Sequence, residues 1–210
     1  WSNIKQLEEA AAKGNPAAEA QLGEYLLRGD GVKQDATRGV ALLEKSAKGG
    51  NAKAAFRLGM TLTNGEFGVP ADTAKGLDYF RAAAAGGESE GFFNVGAAYA
   101  NGKGVKRDYG EALGWLIVAR QRGADGSTET QLRERIKNAP QWIARGERRA
   151  KEIEAEFADK KLQDFLPGAK PAEKKAPEEP KPTSESLKPV GPPADAFKPA
   201  LPALPPPQIK

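Results

Sequence analysis

A pattern of about three dozen residues recurs three times in this chain, and recurrence at that period leaves little choice of architecture. The first copy carries Leu22-Gly23, Leu26 and Gly29, the second Leu58-Gly59, Leu62 and Gly65, the third Val95-Gly96, Tyr99 and Gly102. A Gly-Val pair follows each (Gly31-Val32, Gly68-Val69, Gly104-Val105), then an aspartate three residues beyond the valine (Asp35, Asp72, Asp108). Each unit closes on a glycine: Gly50, Gly87 and Gly123. The steps between the aspartates are 37 and 36 residues. Units of that length are helical hairpins that cannot bury their apolar faces alone and do so by stacking. The expected fold is all-α: an α/α superhelical repeat solenoid.

The repeated residues have plain physical roles. Gly29, Gly65 and Gly102 stand where a helix ends in a left-handed turn, which glycine adopts without a Cβ clash. Asp35, Asp72 and Asp108 stand where the next helix needs an N-cap oxygen, and Asp108 with Glu111 has capping-box spacing. Gly23, Gly59 and Gly96 lie inside helices, where glycine costs about 1 kcal/mol relative to alanine. Close approach of two helices is what offsets that cost. The apolar set Leu22, Leu26, Leu42 and Leu43 recurs as Leu58, Leu62, Tyr79 and Phe80, then as Val95, Tyr99, Trp115 and Leu116, which is core spacing.

The rest of the chain divides around this array. Residues 1–15 read as the second half of a repeat, followed by repeats over 16–51, 52–88 and 89–125. Because the chain starts at Trp1 inside a half repeat, further sequence upstream is expected. Residues 126–166 read as C-terminal capping helices. Ser127 is the expected N-cap of a helix over 128–137, and Pro140 opens another reaching about Gln163. There Ile143, Gly146, Ala150, Ile153 and Phe157 form one apolar stripe, while Arg145, Glu147, Arg148, Arg149, Lys151 and Glu152 read as a solvated face. A helix with one face of each kind suits the end of a solenoid. Thirteen of the 16 prolines fall in 167–210, a stretch too poor in large apolar groups to order itself. It reads as an extended spacer, with Lys174-x-x-Pro177-x-x-Pro180 as a candidate polyproline ligand and Ala200-Leu201-Pro202-Ala203-Leu204-Pro205 as a candidate to fold back into the chain's own groove.

Composition removes several kinds of chemistry. Without cysteine or histidine there are no disulfides, thiolates, imidazole bases or imidazole metal ligands, and no motif calls for a cofactor. The net charge of +4 comes from 32 basic and 28 acidic residues, a mixed surface and not a nucleic-acid footprint. No apolar run is long enough to span a bilayer. Gly29-Asp30-Gly31 and Gly102-Lys103-Gly104 follow helices and lack the ending of a phosphate loop. Aspartates that recur once per repeat read as caps before they read as catalysts, so no enzyme is expected.

The string Ala18-x-x-x-Leu22-Gly23-x-x-Leu26-x-x-Gly29-x-Gly31-Val32-x-x-Asp35, with Leu42, Ala47 and Gly50 beyond it, resembles the Sel1-like repeat family, relatives of tetratricopeptide repeats. In the third copy Tyr99, Ala112 and Trp115 sit where that family prefers Tyr, Ala and Trp. The resemblance covers roughly residues 1–125, and the segment from Pro140 to Phe157 looks like the helix that often closes bacterial members. Gly39, Gly76 and Gly91 replace usual alanines, which should loosen local packing. The resemblance implies adaptor or scaffold work with a protein or peptide partner, often at the bacterial envelope. An extracytoplasmic location is the expectation, with the cytoplasm as the alternative. Disulfide-rich members have been linked to β-lactam binding, which does not carry over to a chain without cysteine.

Tetratricopeptide hairpins line a concave groove with their first helices, and the same counting gives three rows here. The first is Ala20, Phe56 and Phe93; the second Glu24, Met60 and Ala97; the third Leu27, Thr63 and Ala100. Gln21, Arg57 and Asn94 flank them. Phe56, Met60 and Phe93 would make an apolar strip edged by Arg57, Asn94 and Glu24, fit for an amphipathic helix or extended peptide. The competing reading places Phe56 and Phe93 in the core between repeats, where aromatic residues at helical spacing are usually packed. A different class of function also stands: an envelope spacer acting through its tail.

Overall fold

The computed structural model describes residues 3–168. The two candidate peptide segments of the proline-rich tail lie outside the described residues. Within them the chain forms nine α-helices and one 3-10 turn, with no strand. Helix α1 (Ile4–Ala12) precedes three hairpins: α2 (Pro16–Arg28) with α3 (Ala36–Lys48), α4 (Ala52–Asn64) with α5 (Thr73–Ala85), and α6 (Ser89–Asn101) with α7 (Tyr109–Gln121). Helices α8 (Ser127–Arg135) and α9 (Pro140–Ala158) follow, and the 3-10 turn is Leu162–Phe165.

Local chemistry sets the ends of each hairpin. Gly29, Gly65 and Gly102 terminate α2, α4 and α6 with φ of 78°, 68° and 70°. The carboxylates of Asp35, Asp72 and Asp108 accept from the amides of Arg38, Lys75 and Glu111 at 2.9, 2.9 and 3.0 Å, capping α3, α5 and α7. The amides of the same three aspartates donate back to the carbonyls of Leu26, Leu62 and Tyr99 at 2.9, 2.8 and 3.0 Å. Each aspartate therefore ties both helices of its hairpin. The capping box at Asp108 does not close, because the Glu111 carboxylate is drawn to Arg149 at 2.9 Å. Ser127 is not the cap of α8 either. It is the first helical residue, and its hydroxyl and amide both donate to Asp125, a nearer and charged acceptor.

The helices cross closely at their glycines. A Cβ on Gly23 would sit 2.9 Å from the Gly39 carbonyl oxygen, and a Cβ on Gly39 equally near that of Gly23. A Cβ on Gly59 would meet the Phe80 ring at 2.6 Å, and one on Gly96 would meet Leu116 at 2.8 Å. Gly39, Gly76 and Gly91 thus do the opposite of loosening the array. They bring backbones nearer than alanine allows: a Cβ on Gly91 would lie 2.5 Å from the Ala84 nitrogen, and one on Gly76 would strike Thr63.

Two rows of helices result. Glu24 on α2 binds Arg57 on α4 at 3.0 Å, and Glu44 on α3 binds Lys75 and Tyr79 on α5 at 3.1 and 3.0 Å. Long side chains therefore link α2 to α4 and α3 to α5, while each second helix packs on the first helix of the next repeat, α3 on α4 and α5 on α6. Between the rows lies the core, including Leu22, Leu43, Leu58, Phe80, Val95, Leu113 and Leu116. Val32, Val69 and Val105 pack in from the turns.

Helix α9 lies along α7, its stripe Gly146, Ala150, Ile153 and Phe157 buried as the spacing predicts. The opposite face is less solvated than expected. Arg145 and Arg149 turn into the α7 interface, because Gly110 and Gly114 leave notches there: a Cβ on either would lie 2.8 Å from those arginine chains. Arg145 pairs with Asp108 at 2.8 Å, and Arg149 binds Glu111, Glu152 and Glu156. Helix α9 also ends five residues before Gln163. The stripe's next positions are Lys160, Lys161 and Asp164, so a longer helix would present charge to the core and turn Leu162 away. Instead the chain folds back, and the turn Leu162–Phe165 crosses α5 and α3.

Candidate functional site

Helices α2, α4 and α6, the first helices of the three hairpins, carry every residue of the strip inferred from the repeat. Their orientation follows from the glycine crossings. The helix face with Gly23, Gly59 and Gly96 is pressed on the partner helix, and the positions three residues before each glycine lie about 60° round the helix from it, at the rim of that contact. Phe56 and Phe93 lie there, half-buried. Phe56 packs on Phe80, ring centroids 5.8 Å apart, and joins two of the core clusters. Phe93 packs on the cluster around α6 and α7. Each ring has one edge in the core and one at the surface, so neither reading of these aromatics excludes the other.

The second row is split. Glu24 is half-exposed, while Met60 and Ala97 are 8% exposed, and Met60 belongs to the cluster on which both aromatics pack. The third row does not belong to the strip. Leu27 is 2% and Ala100 3% exposed, and Thr63 faces Gly76. Leu27 fills the space that Gly39 leaves open on α3, where its Cγ would be 2.9 Å from an added Cβ. Ala20 and Leu27 share one stripe two turns apart, but Leu27 stands at the α3 crossing beside Gly39, which the row pattern does not anticipate.

The flanking polar residues are already engaged. Arg57 and Glu24 form a two-pronged pair, Nε to Oε1 at 3.0 Å and Nη2 to Oε2 at 3.4 Å, joining consecutive repeats. Asn94 is not an exposed edge: it is 9% exposed and donates to the Glu90 carbonyl of its own helix at 2.7 Å. Gln21 donates to the Tyr25 hydroxyl at 3.1 Å. The strip residues that keep surface are thus Phe56 and Phe93, half-buried, and the Glu24–Arg57 pair.

On the opposite row, burial and the adjacent Glu44 carboxylate push the Tyr79 hydroxyl well above its ordinary range. It stays a neutral donor at 3.0 Å. Asp35, Asp72 and Asp108 are all committed to capping. An open cleft of about 600 Å³ lies between α1 and the α2–α3 turn, with Glu8, Leu26, Val32 and Arg38 in its walls, none of them strip residues. The repeat pattern does not point to the back-folded turn with Leu162 and Phe165. Its signal in the chain is the mismatch between the α9 stripe and Lys160, Lys161 and Asp164.

A family model described as Sel1 repeat matches residues 16–51, 52–88 and 91–123, just over half of the chain and the three hairpins in turn. No curated protein sequence matches. Among solved structures the chain is similar to a Sel1 repeat protein from Oxalobacter formigenes, at 30% identity and a TM-score of 0.54, over 58% of this chain and 49% of that one. It is also similar to a protective antigen present in uropathogenic Escherichia coli strains that displays an SLR fold. There the identity is 26% and the TM-score 0.59, over 70% of this chain and 33% of that one. The chain spans about half the length of the first of these proteins and a third of the second.

Proposed function

The chain belongs to the Sel1-repeat family, and from that premise we propose that it is a non-catalytic scaffold holding a protein or peptide segment along α2, α4 and α6. Stacked hairpins of this kind serve as extended interaction surfaces. The observation that carries the reading is the strip itself. Two half-buried aromatics one repeat apart, Phe56 and Phe93, both pack on the cluster that holds Met60, and a bidentate ion pair joins α2 to α4. A segment that matches it is an amphipathic helix or extended chain with apolar side chains facing the strip and a charge to meet Glu24 or Arg57.

The test exploits that ion pair. Exchanging both charges, Glu24→Arg with Arg57→Glu, keeps the pair and the fold but reverses the electrostatic pattern a partner meets. Proteins that the wild-type chain retains should be lost by the exchanged chain at unchanged helical content, and kept by a Lys151→Glu chain altered on the exposed side of α9. Equal retention by all three chains would place the interaction elsewhere.

A further inference from the structure

Beyond Ala158 the chain does something no cap requires. Asp159, Lys160 and Lys161 are exposed, and then Leu162 plunges to 4% exposure in the cluster that holds Ala47 of α3 and Tyr79, Ala82 and Ala83 of α5. Phe165 stacks on Phe157 with centroids 4.5 Å apart and planes at 18°. Leu166 rests half-buried on the α3–α5 cluster. The segment folds on itself: the Asp164 carboxylate accepts from the Lys161 amide at 2.9 Å, and the Asp164 amide donates to the Lys161 carbonyl at 3.0 Å. Gln163 reaches the array, donating to the Lys48 carbonyl at 3.2 Å in an exposed position.

The surface beneath is shaped to receive it. The junctions after α3 and α5 are Gly49-Gly50 and Gly86-Gly87. A Cβ on Gly86 would lie 2.9 Å from Leu162 Cδ1, and one on Gly50 would lie 3.4 Å from Gln163 Nε2. Glycine and alanine thus make a shallow apolar floor with room for one leucine, and the carbonyl of Lys48 offers an acceptor at its rim. A compact turn that lays Leu, Phe and Leu on such a floor has the form of a bound peptide.

We propose that this face of α3 and α5 is a second peptide-docking site, filled in cis by Leu162-Gln163-Asp164-Phe165-Leu166 and open to a partner segment of the same chemistry when the strap lifts. The partner segment carries Leu, an aromatic three residues on, a Leu after it, and an acidic residue between them to close the turn. The strap lifts locally because Leu162 is its one buried side chain, Phe165 and Leu166 are only half-buried, and its hydrogen bond to the array is exposed, which puts it at the low end of the stability range. Its short exposed tether keeps its effective concentration high, so a free peptide meets a largely occupied site. The site lies on the second-helix row and does not rest on the reading of the first-helix strip.

The probe is a fluorescent peptide with the sequence of residues 160–168, titrated onto the full chain. A full chain with Leu162→Ala and Phe165→Ala should bind it at least about tenfold more tightly than wild type. A peptide carrying the same two changes should bind neither, and Lys151→Glu, on the exposed side of α9, should leave the affinity unchanged. In the wild-type chain the amides of Asp164 and Leu166 should exchange with solvent well before those of α5. Equal or absent binding to the two chains, unfolding of the doubly substituted chain, or strap amides that exchange only together with α5 would make the segment part of the core and overturn the proposal.

Discussion

At the scale of single residues, one aspartate and a pair of glycines do most of the work in each hairpin. The aspartate amide holds the end of the first helix and its carboxylate starts the second. Asp72→Ala should therefore cost about 1 kcal/mol, measured by urea denaturation, and Asn at that position should recover most of it. The glycines act by what they lack. Gly59→Ala places a methyl 2.6 Å from the Phe80 ring, and the resulting overpacking should destabilise the chain by about 1–3 kcal/mol. Both roles are legible in the sequence, because capping and left-handed termination depend on neighbours a few residues away. For Gly39, Gly76 and Gly91 the sequence suggests the wrong sign. Whether a missing Cβ loosens or tightens a crossing depends on a backbone from another helix, which spacing along one helix does not reveal.

At the scale of elements, the closing helices are held as much by charge as by their apolar stripe. Arg149 is 20% exposed and serves Glu111, Glu152 and Glu156, so Arg149→Ala should leave three carboxylates facing one another across α7 and α9. A loss of about 1–3 kcal/mol is expected in the same denaturation assay. Glu129 on α8 links the last repeat to both closing helices: it binds Arg120 of α7 at 2.6 Å and Arg133 at 2.8 Å, and Arg133 reaches Glu147 of α9. Burial opposes its ionisation, but the hydrogen bonds and charges of Arg133 and Arg120 outweigh it and hold the carboxyl below its ordinary 4.5. A depressed carboxyl contributes stability that is full above the unfolded value and is lost as pH falls through the folded one. Thermal stability should accordingly fall as the pH drops below about 4.5, and Glu129→Gln should be weaker at neutral pH and show a shallower acid loss. The stripe of α9 is legible as period; the arginines turned inward are not, since the notches that admit them belong to α7. The early end of α9 is legible in principle, because the stripe runs out at Lys160.

At the scale of the whole molecule, two rows of helices leave two kinds of surface, and the repeat dictates both. The first-helix row presents the same register every three dozen residues, which is why spacing alone puts Phe56 and Phe93 on one strip. Spacing does not exclude Leu27 and Asn94 from it. A helix has no sharp border between rim and core, and only the partner helix decides which side chains remain at the surface. The second-helix row is partly covered by α9 and the strap, so the two surfaces differ in access as well as in chemistry. We propose that a partner is held on the first-helix row. The most direct measurement is amide hydrogen exchange of the full chain, free and with a partner retained by the wild-type chain. Added protection concentrated in α2, α4 and α6 is the predicted result. Protection confined to α3, α5 and α7, with the first helices unchanged, would contradict it.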